Sequence, residues 1–272
     1  MAICRIALGL LAFATSGIFG LTDALAQASD RSNPAIAAVL QDIADGNRIL
    51  YQKKILDGLG HVSGRNPANP NTFFMSRSLA PGLVTTADLI EYDLDAKPVA
   101  DDRRGYIERY IHAEIYRARP EVKGVVHSHS PAILPFGVSE TKLRALTQSG
   151  WFLGDGAPVF DATEHGAKLG FLINTPELGK ALARTMGDGW VVLMRAHGDS
   201  TAGLSVREAV AIAINTELSA TTQMQAVALG GKVKYMTAEE AKSQAQMSRG
   251  GSTDGADRTW QLWKSEVGQK LP

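Results

Sequence analysis

Short apolar runs alternate along this chain with longer, capped amphipathic segments, and that alternation points to an α/β layered domain. Residues 125–129 and 190–197 have the brevity and Val content of buried strands. Residues 73–75 and 89–92 are shorter strand candidates, and residues 60–65 read as a turn or short strand. Ile107, Ile111, Ile115 and Ala118 form an apolar stripe on a helix expected over 103–119, which Pro120 stops. A second helix is expected over 33–56, ended by Gly58-Leu59-Gly60. Thr175-Pro176-Glu177 opens a helix to about residue 185, with Pro at its first position. Ser205-Val206-Arg207-Glu208 is a capping box for a long helix to residue 229, closed by Gly230-Gly231; residues 237–240 repeat the pattern.

Composition sets the outer limits. The chain has 272 residues, 44% of them hydrophobic, enough for one sizeable core. Its formal net charge is zero, so no field favours nucleic acid or an anionic membrane, and a small-molecule substrate is the expected partner. Residues 6–21 are apolar or small and uncharged, and Ala24-Leu25-Ala26 and Ala26-Gln27-Ala28 offer small-x-small cleavage sites. The run is short for a bilayer span, which needs about 20 residues. Residues 1–28 therefore read as a cleaved signal peptide rather than an anchor, which predicts a periplasmic or secreted protein. The sole cysteine, Cys4, falls in that segment, so a metal site in the mature chain must use His and carboxylates. The folded domain is expected over 29–247. Residues 248–272 read as a flexible Gly/Ser/Asp-rich linker and a tail whose Trp260 and Trp263 pack back.

The histidines carry the chemistry. On a strand, His127 and His129 project from the same face, with Ser128 opposite. Two imidazoles so placed suit one metal ion; the alternative is a pair of surface histidines on an edge strand. His197 ends the second apolar run, with Arg195 on its face and Gly198 allowing an immediate turn. Taken alone, it fits an ordinary strand-terminal histidine equally well. Glu108 and His112 sit four apart on one helix face, a spacing shared by metal ligands, general bases and ordinary solvated pairs.

In this order, Glu108-x-x-x-His112, Val126-His127-Ser128-His129-Ser130-Pro131 and Ala196-His197-Gly198 resemble the class II aldolase/adducin family, over roughly residues 36–231. The resemblance implies a three-layer α/β/α fold around a mostly antiparallel sheet, and a homotetramer. It also implies one divalent ion per subunit, zinc foremost with Mn, Co or Fe as alternatives. The ion's ligands would be His127, His129 and His197, with Glu108 as both ligand and catalytic acid or base. Gly60-His61-Val62-Ser63 resembles the family's Gly-Asn-x-Ser turn, which makes Ser63 a substrate-binding candidate. Where the sugar-phosphate aldolases carry Asn and a Ser-Ser pair, His61 and Tyr106-Ile107 stand here, so the donors for a phosphate are missing. The turn resembles that of the family's decarboxylase branch, which implies a hydroxylated aromatic carboxylic acid as substrate. Arg77 or Arg195 would then hold a carboxylate, and His61 or His165 would protonate the carbanion, with His112 as an orienting neighbour. An aldolase of unphosphorylated substrates, a metal-dependent oxygenase and an adducin-like binding module are the other readings.

Overall fold

The computed structural model describes residue 1, residues 28–250 and residues 254–268. The proposed signal peptide, with Cys4, lies outside the described residues except for its first and last positions. Seven strands form one sheet: β1 (His61–Arg65), β2 (Thr72–Ser76), β3 (Leu89–Asp93), β4 (Gly124–Ser128), β5 (Val159–Phe160), β6 (Val191–Met194) and β7 (Gly198–Gly203). Their order is β3-β2-β1-β4-β7-β6-β5. Only the β5–β6 pairing is parallel. Seven helices accompany them among the described residues: α1 (Pro34–Gln52), α2 (Arg109–Ala118), α3 (Leu134–Gly137), α4 (Pro176–Met186), α5 (Val206–Ala228), α6 (Ala238–Gly250) and α7 (Asp254–Gly268).

Strand alternation divides the core. Phe73 and Val125 face α2 and α4, while their neighbours Phe74 and Val126 face α1, α5 and α7. Each such fully buried side chain contributes roughly 2–3 kcal/mol of transfer free energy. The result is the expected three-layer α/β/α arrangement around a mostly antiparallel sheet. Two caps stand where the sequence puts them, Thr175 accepting from the Leu178 amide and Ser205 from that of Glu208; Asn33, expected as a helical residue, is instead the N-cap of α1 and accepts from Ala35.

Four expectations need correction. Helix α1 ends at Gln52 rather than residue 56, because the chain turns at Lys54, which takes φ 61°, before Gly58-Leu59-Gly60 is reached. Helix α2 begins at Arg109, not residue 103. Gly105 instead bridges Arg77, and a Cβ on Gly105 would lie 2.0 Å from the Tyr92 hydroxyl oxygen. The chain stays extended past Tyr92, so Ile107, assigned to the apolar stripe, is 49% exposed. The second apolar strand ends at Met194, and its turn comes before His197 rather than after it: Ala196 takes φ 54°. Gly198 then opens β7, a buried strand that its small polar residues disguise as a loop. Finally, Ser248 and Arg249 belong to α6 and α7 begins at Asp254, so helix flanks residues 251–253 on both sides of the supposed linker. Trp260 of α7 is 1% exposed, and Trp263 packs against the same core. Among the described residues, no helix is long and apolar enough to cross a membrane.

Gly198 is needed for close approach, not for its dihedral freedom. A Cβ there would sit 1.9 Å from the Ser128 carbonyl oxygen, a backbone atom that cannot step aside. Gly198→Ala should separate β4 from β7 and cost about 3 kcal/mol, measured by chemical denaturation. A variant as stable as the wild type would refute this account of β7.

Candidate metal centre and its cavity

Two periodicities meet in the middle of the sheet. β1 and β4 are antiparallel, with His61 opposite His127 and Ser63 opposite Val125. These residues face α2. On α2 and at its N-cap, Glu108, His112 and Tyr116 are spaced four apart, so they share one helix face. His112 Nε2 lies 2.7 Å from His61 Nδ1, and His112 Nδ1 lies 2.6 Å from Ser63 Oγ. Ser63 Oγ is 2.8 Å from the Tyr116 hydroxyl. At the other end, Glu108 Oε2 lies 3.6 Å from His127 Nε2 and 3.5 Å from His197 Nε2. Its second oxygen accepts the Ile173 amide at 2.8 Å.

The four residues Glu108, His127, His129 and His197 each offer one ligand atom, all within 4.8 Å of one another. Each imidazole is anchored through Nδ1. His127 donates to the Asp199 carbonyl at 2.9 Å, His129 to the Asp57 carboxylate at 3.0 Å, and His197 to the Phe171 carbonyl at 3.1 Å. A neutral ring that donates from Nδ1 keeps a bare lone pair on Nε2. Nε2 of His127 and of His129 is buried with no hydrogen-bond partner, a costly state that a cation would relieve. Burial holds His127 below the ordinary imidazole range, hence neutral. Burial alone would raise Glu108, but the closeness of the His127 and His197 rings, each of which would pair with the carboxylate if it took up a proton, holds it well below the usual carboxylate range. Neutral imidazoles and an ionised carboxylate are the protonation states that ligate metal, and three N donors with one O donor fit zinc and similar divalent ions.

A cavity of about 740 Å³ opens over this cluster, with His61, Glu108 and His129 in its wall. Of the remaining residues picked from the sequence, none lines it. Ser63 is fully buried among His112 and Tyr116. Arg77 pairs with Asp88 at 2.9 Å. Arg195 hydrogen-bonds Asp161 and lies over the Phe171 ring at 4.9 Å. His165 is exposed, stacked on Phe160 with ring centres 5.0 Å apart. In both arginines the guanidinium is engaged by a nearby carboxylate, which removes it from the cavity. His112 bonds to His61 and Ser63 rather than to Glu108, and burial pushes its imidazole down to about 3.

Two residues that sequence reasoning passed over also bear on the site, Arg104 in the cavity wall and Asp57 behind His129. Arg104 is exposed, lines the cavity and forms no ion pair among the described residues. Assigning it to a helix hid it. Asp57 anchors His129 from 72 positions away, and its other oxygen accepts the Leu59 and Gly60 amides. No local pattern announces that partnership.

Comparison with known proteins agrees with this geometry. The family model described as Class II Aldolase and Adducin N-terminal domain matches residues 41–224. The chain is 36% identical over 246 residues to the decarboxylase tropJ of Talaromyces stipitatus, covering 82% of this chain and 91% of that one. It is 28% identical over 244 residues to the 3,4-dihydroxyphthalate decarboxylase of Arthrobacter keyseri, covering 85% and 93%. An aldolase II superfamily protein from Pseudomonas syringae shares the fold, with a TM-score of 0.71 at 22% identity over 88% of this chain and 95% of that one.

Anchors of ligating histidines tune affinity without touching the ion. Asp57→Asn should weaken divalent-metal affinity about ten- to a hundredfold, read by competition with a chromogenic chelator. Unchanged affinity would remove His129 from the ligand set.

Proposed function

The chain belongs to the class II aldolase/adducin family, and on that premise we propose that it is a metal-dependent lyase that removes carbon dioxide from a hydroxylated aromatic carboxylic acid. The observation that carries the reading is the convergence of His127, His129, His197 and Glu108 on one point in the wall of a cavity large enough for such a ring. Two decarboxylases among its relatives support it, as does the lack of a second hydroxyl beside Glu108 for a phosphate: Tyr106 is turned to the Leu79 carbonyl, and Ile107 has none to give.

When bound, the divalent ion supplies a Lewis acid for a carboxylate and its neighbouring hydroxyl. The chain's own residues do the rest. Leu59 and Ile107, both exposed at the cavity, offer apolar surface to the ring. Arg104 pairs with a second carboxylate through its planar fork. Glu108 keeps one oxygen on the Ile173 amide and uses the other as base, taking the proton of the substrate hydroxyl. The carbon–carbon bond then breaks, and its electron pair stays on the ring carbon. Glu108 returns the proton to that carbon, and the product leaves as a phenolate. Zinc suits the donor set, and export after cleavage near residue 28 and assembly as a homotetramer complete the proposal.

Metal-loaded protein should release carbon dioxide from hydroxylated aromatic dicarboxylates, equally under air and nitrogen. Glu108→Gln should lower kcat by about 10²- to 10⁴-fold while retaining metal. Arg104→Leu should raise KM by roughly ten- to a hundredfold. A loaded protein that decarboxylates none of these acids would defeat the proposal, and turnover only in air would favour an oxygenase.

A further inference from the structure

His61 lines the cavity through one ring edge, and its other edge is tied into a buried row: His61 Nδ1 to His112 Nε2, His112 Nδ1 to Ser63 Oγ, and Ser63 Oγ to the Tyr116 hydroxyl. All four residues are at most 1% exposed. Hydrogen positions in such a row follow from counting donors and acceptors. A neutral imidazole has one N–H and one bare nitrogen, so the row can run in only two senses.

The far end decides between them. The Tyr116 hydroxyl has Ser63 Oγ as its one hydrogen-bond partner among the described residues. If the row ran from His61 toward Tyr116, that oxygen would only accept, from Ser63. Its own proton would then face no acceptor among the described residues, a buried loss of about 1–3 kcal/mol. In the opposite sense every group between Tyr116 and His61 Nδ1 is satisfied, and the one N–H left over is at the cavity. Tyr116 donates to Ser63, Ser63 to His112 Nδ1, and His112 Nε2–H to His61 Nδ1. The proton of His61 must then sit on Nε2, which makes no hydrogen bond within the described protein.

We propose that Tyr116, Ser63 and His112 form a one-directional hydrogen-bond chain that holds His61 as its Nε2–H tautomer, making His61 a neutral hydrogen-bond donor to a substrate oxygen in the cavity. This assignment refines the decarboxylase reading and rests on it only for the identity of the substrate. It replaces the sequence-based role of His61 as proton donor. A neutral ring that gave its proton away would become an imidazolate unless Tyr116, whose hydroxyl burial pushes well above the ordinary phenol range, ionised at the far end. As a donor it keeps the proton and stabilises charge growing on an oxygen, a contribution already oriented before the substrate arrives. The tautomer also explains why His61, with its ring centre 5.1 Å from that of His127, is not a fourth imidazole ligand: the nitrogen that could ligate carries a proton. Ser63, picked from the sequence as a substrate contact, becomes a positioning residue together with His112 and Tyr116.

Neutron diffraction from deuterium-exchanged, zinc-loaded protein tests the tautomer directly. Deuterons are expected on Nε2 of both His61 and His112, with that of Ser63 directed at His112. A deuteron on His61 Nδ1 would overturn the proposal. Kinetics supplies a second reading. His112→Gln keeps an N–H donor near the place of Nε2, whereas His112→Leu has none. The Leu variant should lose kcat by about 10²- to 10³-fold with KM and zinc content unchanged, and the Gln variant should recover most of that loss. Equal losses in both, in folded zinc-containing protein, would reduce the row to scaffolding and refute the proposal. If the neutron map shows the expected tautomer and no hydroxylated aromatic acid is turned over, the decarboxylase reading fails alone. Decarboxylation by a protein with the opposite tautomer would sink the hydrogen-bond chain alone.

Discussion

The site depends on a match between two repeats: the two-residue step of β1 and β4 and the four-residue step of α2. His61 and Ser63 on one strand, and Val125 and His127 on its partner, present one face. Glu108, His112 and Tyr116 present the face that lies on it. The polar members of these two rows complement each other pair by pair, which is why they survive burial. Buried imidazoles and a carboxylate with no such partners would each cost several kcal/mol or change protonation state.

Two different uses of histidine follow from that one contact. In His127, His129 and His197, Nδ1 donates to a fixed oxygen and Nε2 is left bare toward a common point. In the tautomer proposed for His61 the arrangement is reversed: Nδ1, 2.7 Å from His112 Nε2, accepts, and the proton faces the cavity. Whether an imidazole binds metal or polarises substrate is decided by what holds its far nitrogen. His61 and His127 are neighbours in register, yet the sheet gives them opposite tautomers because one leans on a carbonyl and the other on a ring.

Much of this was legible in the sequence. Strand alternation placed His127 and His129 together, the four-residue spacing put Glu108 and His112 on one helix face without choosing a role for them, and the resemblance supplied His197 and the place of Glu108 beside the histidines. Side chains outside those repeats were not legible. Arg77 and Arg195 seemed well placed for a carboxylate, but Asp88 and Asp161 are nearer, and a sequence gives no distances. β7 escaped notice because Gly198, Ser200 and Gly203 are small and polar. A strand squeezed between β4 and β6 beneath α5 needs small residues more than β-branched ones: a Cβ on Gly203 would lie 2.5 Å from the Ala209 amide nitrogen.

The late start of α2 does more than correct a boundary. Helical spacing alone would extend it back to residue 103, with Glu108 in its second turn. Gly105, pressed against Tyr92 and bridged to Arg77, prevents this. Glu108 becomes the N-cap residue, where the positive end of the helix favours an ionised carboxylate. The preceding extended segment is released to form wall, which turns Arg104, Tyr106 and Ile107 toward the cavity. A single residue without a side chain thus helps to set both the charge of the candidate base and the surface that meets the substrate. The residues just before the helix shape the cavity wall as much as the histidines beneath it do.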